Sequence, residues 1–201
     1  MVKAGSCSPP PELVVGSYFI QREGRGRYLI NQGRGRLSAE EYLADRAVVI
    51  VMGSGIIRRD ALRTLRFPAN MTYDEDTLFW AALLASCRTA IVDAVVMTYN
   101  VSLERSDERL VQKSRASFES WRQNLLALES RGIRRTALRR REAFMAIRVA
   151  RIHMRRGEYT EARHFLTIAR KSPKTWADAY RWLRFRLKLA LRQRVVRNGS
   201  Q

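Results

Sequence analysis

The stretch Asn70-Met-Thr-Tyr-Asp-Glu-Asp-Thr-Leu-Phe-Trp80 decides where a central helix begins and which of its side chains are buried. Thr72 and Glu75 have the spacing of a capping box, which predicts a helix from about Tyr73 to about Ser86. The apolar side chains of that helix should point inward: Leu78, Phe79, Leu83 and Leu84. Three carboxylates share its first turn: Asp74, Glu75 and Asp76. The helix dipole favours their ionised form, whereas repulsion among like charges opposes it. A solvated acidic turn explains the pattern, and a reactive site is the alternative.

Predicted strands and helices flank this helix in the sequence. Before and after it we expect a strand over 12–20, a return strand over 27–30, a capped helix from Ser38 to about Arg46, and one or two strands over 89–99. From Asp107 the pattern is helical, with one helix ending at Gly132, another over Arg134–Arg155, a tetratricopeptide-like unit from Gly157 and a last helix over Trp176–Val196. We therefore predict an α/β fold, with a disordered segment 1–11, a mixed-sheet domain 12–106 and a basic all-α extension 107–201.

Almost all of the net charge of +19 lies in the second half of the chain. Residues 1–100 carry 12 basic and 10 acidic side chains, whereas residues 101–201 carry 26 and 9, a balance of +17. Three interpretations stay open for this extension. It binds an anionic membrane surface with Trp176, Trp182 and Phe185 as interfacial anchors, it binds nucleic acid, or its arginines face water on helices packed against the first domain.

The sequence offers few signals of compartment. Cys7 and Cys87 are lone thiols without metal-ligand spacing, and no apolar run approaches the roughly 18–20 residues of a membrane span. The first residues lack the apolar core of a signal peptide. We expect a cytoplasmic protein, with a peripheral position on the inner face of the membrane left open.

The acidic turn is the candidate site for chemistry. His153 and His164 have no nucleophile partner that the sequence justifies, and the short glycine segments do not form a phosphate-binding loop. Asp76 is a candidate general base for a hydroxyl group. Gly53-Ser54-Gly55 follows an apolar run, so these glycines serve either close packing or close approach to a ligand.

Six segments occur in an order that matches a known family. They are Leu13-Val-Val-Gly-Ser-Tyr18, Leu37-Ser-Ala-Glu-Glu41, Ile57-Arg-Arg-Asp60, Leu65-Arg-Phe-Pro68, Tyr73-Asp-Glu-Asp-Thr77 and a strand closing on Tyr99. On these segments, residues 12 to about 106 resemble the second half of family 2 glycosyltransferases, which have the GT-A fold. The resemblance implies a partial GT-A, Rossmann-like mixed sheet.

The resemblance also implies a reaction, the inverting transfer of a sugar from a nucleotide-sugar donor to a cell-envelope glycan or a lipid-linked acceptor. The base of that family maps onto Asp76, with Glu75 beside it. The residues along the donor and acceptor cleft then map onto Gly53, Ser54, Gly55 and Asp74.

Two parts of the family pattern are missing. They are the nucleotide-binding βα unit and, after it, the Asp-x-Asp that holds Mg²⁺ or Mn²⁺ with the donor diphosphate. Residues 1–16 contain no Asp. We therefore expect no metal site or cofactor in this chain, and a truncated or degenerate transferase that is nearly inactive alone. We also expect the strand over 13–20 to leave an exposed edge. The alternative function is a basic helical protein that binds an anionic membrane or nucleic acid from an α/β platform.

Overall fold

The computed structural model describes residues 9–22, 24–33, 35–44, 50–62, 65–68, 71, 74–101, 115–172 and 176–198. Within these ranges the chain has the α/β organisation that the sequence predicts. The strands are β1 (Leu13–Arg22), β2 (Arg25–Ile30), β3 (Gly55–Ile57) and β4 (Thr89–Val101). The helices are α1 (Ala39–Ala44), α2 (Glu75–Ser86), α3 (Arg115–Ala127), α4 (Arg135–Arg155), α5 (Tyr159–Lys171) and α6 (Trp176–Asn198). The expected boundary near 106 and the expected disorder of residues 1–8 fall outside the described ranges.

Strand β1 is the centre of a mixed sheet. Strand β4 pairs with it in parallel from Leu13↔Thr89 to Arg22↔Val101. On its other side β1 pairs antiparallel with β3 over its first residues and with β2 over its last ones. The expectation of an exposed edge on β1 is therefore wrong, because β2 and β3 both pair with β1 on the side that we expected to be exposed.

Among the described strands, β4 has an open edge instead. In the described part of the chain, β4 pairs with β1 and with Gly35 at a single bridge to Ile91. Val95, Val96 and Tyr99 are exposed on the same strand. Unpaired backbone groups beside apolar side chains make such an edge prone to self-association.

A glycine controls the spacing between β1 and β4. A Cβ atom on Gly16 would lie 2.5 Å from Cγ1 of Val96 and 2.9 Å from the backbone oxygen of Ala94. The pairing register also shifts between Gly16 and Ser17. Gly16 is therefore the residue that lets the bulged part of β4 approach β1.

The capping box before α1 and the inward residues predicted for α2 are confirmed. The Ser38 N–H donates to Oε2 of Glu41 at 2.8 Å, and the Glu41 N–H donates to Oγ of Ser38 at 3.2 Å, which is a reciprocal capping box. The four predicted inward residues of α2 are buried, and so are the residues between them. Helix α2 is buried over most of its surface because α1 and the helical extension both pack against it, and its Trp80 ring lies against Gly55 of the sheet. The Thr72–Glu75 capping box is wrong, because α2 begins at Glu75 and its N-cap residue is Asp74, whose φ of 52° does not occur inside a right-handed helix.

The helical extension shares one hydrophobic core with the α/β part. Phe118, Trp121, Leu125 and Leu128 are buried as their spacing predicts, and Gly132 ends that segment with a φ of 84°. The same cluster of buried side chains continues into β1 and α2. An ion pair between Glu40 and Arg134 also joins α1 to the start of α4. Packing is therefore one role of the extension.

Helix α6 corrects part of the membrane hypothesis. Trp182 and Phe185 pack against the core, and the Trp182 indole donates to the Leu166 carbonyl at 2.9 Å. Their expected role as interfacial anchors is wrong, because they fill the inward face of the helix. Trp176, in contrast, is 93% exposed. In the ranges that the structure describes, none of the helices combines the length and the apolar character that crossing a bilayer requires.

Candidate functional site

The acidic turn begins with an unusual backbone conformation. Asp74 precedes α2 with φ 52° and ψ 18°, and it is the one described non-glycine residue with a positive φ. Aspartate tolerates this left-handed region better than most residues. Its carboxylate makes no capping bond to the α2 backbone.

Asp74 pairs instead with an arginine of the helical extension. Arg141 donates from Nη2 to Oδ1 of Asp74 at 2.7 Å and to Oγ1 of Thr77 at 2.9 Å. The Thr77 hydroxyl in turn donates to Oδ1 of Asp74 at 2.9 Å. The side chains of Arg141 and Asp74 are only 14% and 9% exposed. This buried, charge-assisted contact ties the first turn of α2 to the middle of α4.

Two polar atoms of this pair lack a hydrogen-bond partner among the described residues: Oδ2 of Asp74 and Nε of Arg141. Buried polar atoms are normally satisfied, so each of them retains hydrogen-bonding capacity. Asn70, Thr72 and Tyr73 adjoin the turn in sequence and lie outside the described residues.

Asp76, in the first turn of α2, is a carboxylate whose pKa is shifted by its surroundings. Burial raises its pKa above the ordinary value, and the negative charges of Asp74 and Glu75 raise it further. The Thr77 N–H, which donates to Oδ1 of Asp76 at 2.8 Å, and the positive charge of Arg141 act in the opposite direction. The balance is a raised pKa, which makes Asp76 a stronger base than a solvated aspartate once it is ionised.

Tyr42, which belongs to α1, interacts with the same side chains. Its side chain is 6% exposed, and burial raises its pKa, with Asp76 and Asp74 adding to the effect. The positive charge of Arg141 and a hydrogen bond with Thr77 lower the same pKa. Tyr42, Asp74, Asp76, Thr77 and Arg141 thus form one cluster of interacting polar side chains, here called the acid-turn cluster. Glu75, the second predicted catalytic residue, is half-buried in the same turn.

Sequence reasoning missed Tyr42 and Arg141. Tyr42 occupies a core position of a short helix, where a tyrosine indicates packing rather than chemistry. Arg141 ends the run Arg139-Arg-Arg141, and nothing local distinguishes its three members. Only the packing of α4 against α1, which brings Arg141 to the start of α2, shows which arginine reaches Asp74.

The predicted loop Gly53-Ser54-Gly55 has structural roles. Gly53 has a φ of 95°, which favours glycine. The Ser54 hydroxyl accepts from the Val51 N–H at 3.1 Å and donates to the Val51 carbonyl at 2.9 Å, which closes the turn. A Cβ atom on Gly55 would lie 3.3 Å from the Trp80 ring. The loop therefore contacts α2 one turn beyond Asp76, and close packing accounts for both glycines.

Three surface cavities in the described part of the chain lie elsewhere. One, of about 830 Å³, is lined by residues between Arg58 and Arg66. The other two lie between α4 and α6, with volumes of about 450 Å³ and 310 Å³, and they share Arg151, Arg184 and Phe185. Among the residues with described positions, no group of three or more His, Cys, Asp or Glu side chains is arranged to hold a metal ion.

The two neighbouring cavities form one feature, here called the basic groove. Six basic side chains line it: Arg148, Arg151 and Arg155 from α4, and Arg181, Arg184 and Lys188 from α6. Apolar side chains line it as well, among them Phe144, Ile147 and Phe185. No carboxylate occurs among its described lining residues. A groove of this composition suits an anionic ligand with an apolar part.

No protein-family model matches this sequence, and no curated protein matches it at a significant level.

Proposed function

We propose that residues 12–106 form the acceptor side of an inverting, GT-A-type glycosyltransferase site in which Asp76 accepts the proton of an acceptor hydroxyl. One observation carries the proposal. Asp76 is a partly buried carboxylate at the start of α2 whose pKa is raised by its surroundings. Titratable groups perturbed in this way are concentrated at functional sites.

The position of Asp76 relative to the strands of the sheet supports the same assignment. Strands β1 and β4 pair in parallel and α2 lies between them in the chain, which is the order of a βαβ unit, whose helix runs antiparallel to its strands. The first turn of α2 then lies toward the carboxyl ends of β1 and β4, which are parallel. Open α/β sheets bind their ligands outside the carboxyl ends of parallel strands.

The acid-turn cluster gives each neighbour of Asp76 a role. Arg141 compensates the charge of Asp74, which keeps Asp76 ionisable beside a second carboxylate. Thr77 donates its N–H to one oxygen of Asp76. In the proposed reaction the acceptor hydroxyl donates its hydrogen bond to the carboxylate, and its proton passes to Asp76 as its oxygen attacks C1 of the donor sugar. The bond from C1 to the nucleoside diphosphate breaks in the same step, and the diphosphate leaves with that electron pair.

The divalent metal of the resembling family does not fit the described residues. They provide no set of ligands for Mg²⁺ or Mn²⁺, and we route no step through a metal. The proposal likewise assigns no nucleotide site to them. The acceptor class is a glycan hydroxyl, either of a cell-envelope polysaccharide or of a lipid-linked sugar.

Binding is the sharper readout, since the sequence predicts little turnover by the chain alone. The isotope-labelled protein should be titrated with mono- and oligosaccharide acceptors, with and without nucleotide sugars, while backbone amide signals are recorded by NMR. We expect shifts concentrated in α1 and in the first turn of α2. Asp76→Asn should weaken acceptor binding about tenfold, since a hydrogen bond to a charged group contributes roughly 1.5–3 kcal/mol.

The matched control is Asp93→Asn, which removes an exposed carboxylate from β4 and should leave the affinity unchanged. The proposal is wrong if no sugar in the panel shifts these signals. It is also wrong if Asp76→Asn binds the same acceptors as tightly as the unsubstituted chain.

A further inference from the structure

Helix α6 is apolar on two opposite faces. Its inward face carries Trp182, Phe185 and Leu189, which pack against the core. Its other apolar side chains recur at spacings of four, three, four and four residues, which places them on one side of a helix. They are Trp176, Tyr180, Leu183, Leu187 and Leu191, and each is between 50% and 93% exposed. This outward stripe extends for about 22 Å at 1.5 Å per residue.

Cations border the outward stripe on both sides. At 100° per residue, Arg184, Lys188 and Arg181 follow it on one side, and these are the α6 side chains that line the basic groove. Arg186 lies on the other side. Residues 176–198 contain seven basic residues and one acidic residue, a balance of +6. An occupant of this face must therefore be anionic at its surface.

Charge and chemistry select among the candidate occupants. A second copy of α6 would place one helix of net charge +6 against another of the same charge. Their repulsion opposes self-association through this stripe. A nucleic acid would match the arginines, but the three leucines offer neither stacking nor hydrogen bonds to bases. An anionic bilayer is negative at its surface and apolar immediately beneath, so it matches the cations and the leucines together.

We propose that α6 lies in the plane of an anionic lipid bilayer surface, with the outward stripe inserted at the headgroup and acyl boundary. The basic groove then faces the headgroups, and its arginines bind lipid phosphates beside the inserted stripe. This inference is independent of the glycosyltransferase proposal, because it rests on residues that the acid-turn cluster does not contain.

Vesicle binding by the full chain tests the proposal. Co-sedimentation should be compared between vesicles of pure phosphatidylcholine and vesicles containing about a third phosphatidylglycerol. We expect at least tenfold tighter binding to the second kind, weakened by salt. Trp80, Trp121 and Trp182 are buried or packed, whereas Trp176 is exposed. A blue shift of tryptophan fluorescence on binding should therefore come from Trp176 and disappear in Trp176→Phe.

Two double variants separate the outward stripe from the basic groove. Leu183→Gln with Leu187→Gln should weaken vesicle binding at least tenfold, whereas Ile56→Gln, which removes an exposed apolar side chain from the sheet, should not. Arg184→Gln with Lys188→Gln should weaken binding to anionic vesicles at least tenfold. The charge-matched control, Arg131→Gln with Arg135→Gln, removes two exposed cations from another surface and should change binding less than twofold.

Several results would overturn the inference. Equal binding to neutral and anionic vesicles, or none to either, contradicts it directly. So does unchanged binding by the leucine variant with normal helix content in circular dichroism. Concentration-dependent self-association that the leucine variant abolishes would identify a second copy as the occupant instead. Duplex binding that anionic vesicles do not displace would identify nucleic acid.

Discussion

Replacing the buried Glu142 by glutamine should be among the most destabilising single changes in the helical extension. Glu142 is 1% exposed and is bonded to three other side chains. Arg122 donates to it from α3, Arg139 donates at 2.8 Å from the preceding turn of α4, and the Ser172 hydroxyl donates at 3.0 Å from the end of α5. One carboxylate therefore joins three helices.

The size of the effect follows from what Glu142→Gln leaves behind. The amide group is neutral, and whichever way it is oriented its NH2 faces at least one donor among Arg122, Arg139 and Ser172. Breaking a buried ion pair costs about 3–5 kcal/mol. Because the side chains of Arg122 and Arg139 are 29% and 26% exposed, they can turn partly toward water, which favours the lower end. We expect a loss of about 3 kcal/mol, equivalent to a fall in Tm of roughly 6–12 °C for a chain of this size.

Urea unfolding followed by far-ultraviolet circular dichroism measures this loss. Glu129→Gln is the matched control, because Glu129 is 48% exposed and lies 3.7 Å from Arg135. That exposed pair should contribute less than about 0.5 kcal/mol. If Glu142→Gln unfolds within about 0.5 kcal/mol of the unsubstituted chain, the reasoning about this buried carboxylate is refuted.

Three further changes test other parts of the structure. Gly16→Ala should destabilise the protein by about 1–3 kcal/mol through overpacking, whereas Gly26→Ala, with open space around it, should not; equal unfolding midpoints would contradict this. Because the folded-state pKa of Asp76 is raised, its ionised form costs stability as pH rises through and above 3.8. Asp76→Asn should therefore stabilise the fold at neutral pH and lose that advantage below 3.8, and a destabilised variant at neutral pH would reverse the sign. Val95→Lys on the open edge of β4 should reduce aggregation in light scattering, and an unchanged particle size would exclude that edge as its cause.

Local patterns in the sequence were enough to predict most elements. The segment over 12–20, rich in β-branched and aromatic residues, and the apolar run over 89–99 correspond to β1 and β4, and the predicted start of α4 is within one residue of the observed one. The Ser38 capping box follows from two residues three positions apart, which is the range over which such signals act. The hairpin pairing of β1 with β2 was expected from the intervening turn and is confirmed. The pairing of β1 with β3 and β4 did not follow, because those partners are set by distant segments, and β3 has only three residues.

The site was less predictable than the fold. The acidic turn was found because its three carboxylates are adjacent in sequence. Arg141 and Tyr42 join it only through the packing of α4 and α1, so no short-range pattern contains them. The same limit explains the error at Trp182. Since α6 is apolar on two faces, periodicity alone does not tell which face is buried.

Titration of the Asp76 carboxyl carbon by NMR tests the central claim most directly, namely that a desolvated base lies at the start of α2. The account predicts a pKa above the ordinary value of 3.8, because burial and the neighbouring carboxylates outweigh Arg141. A measured pKa at or below 3.8 would contradict it.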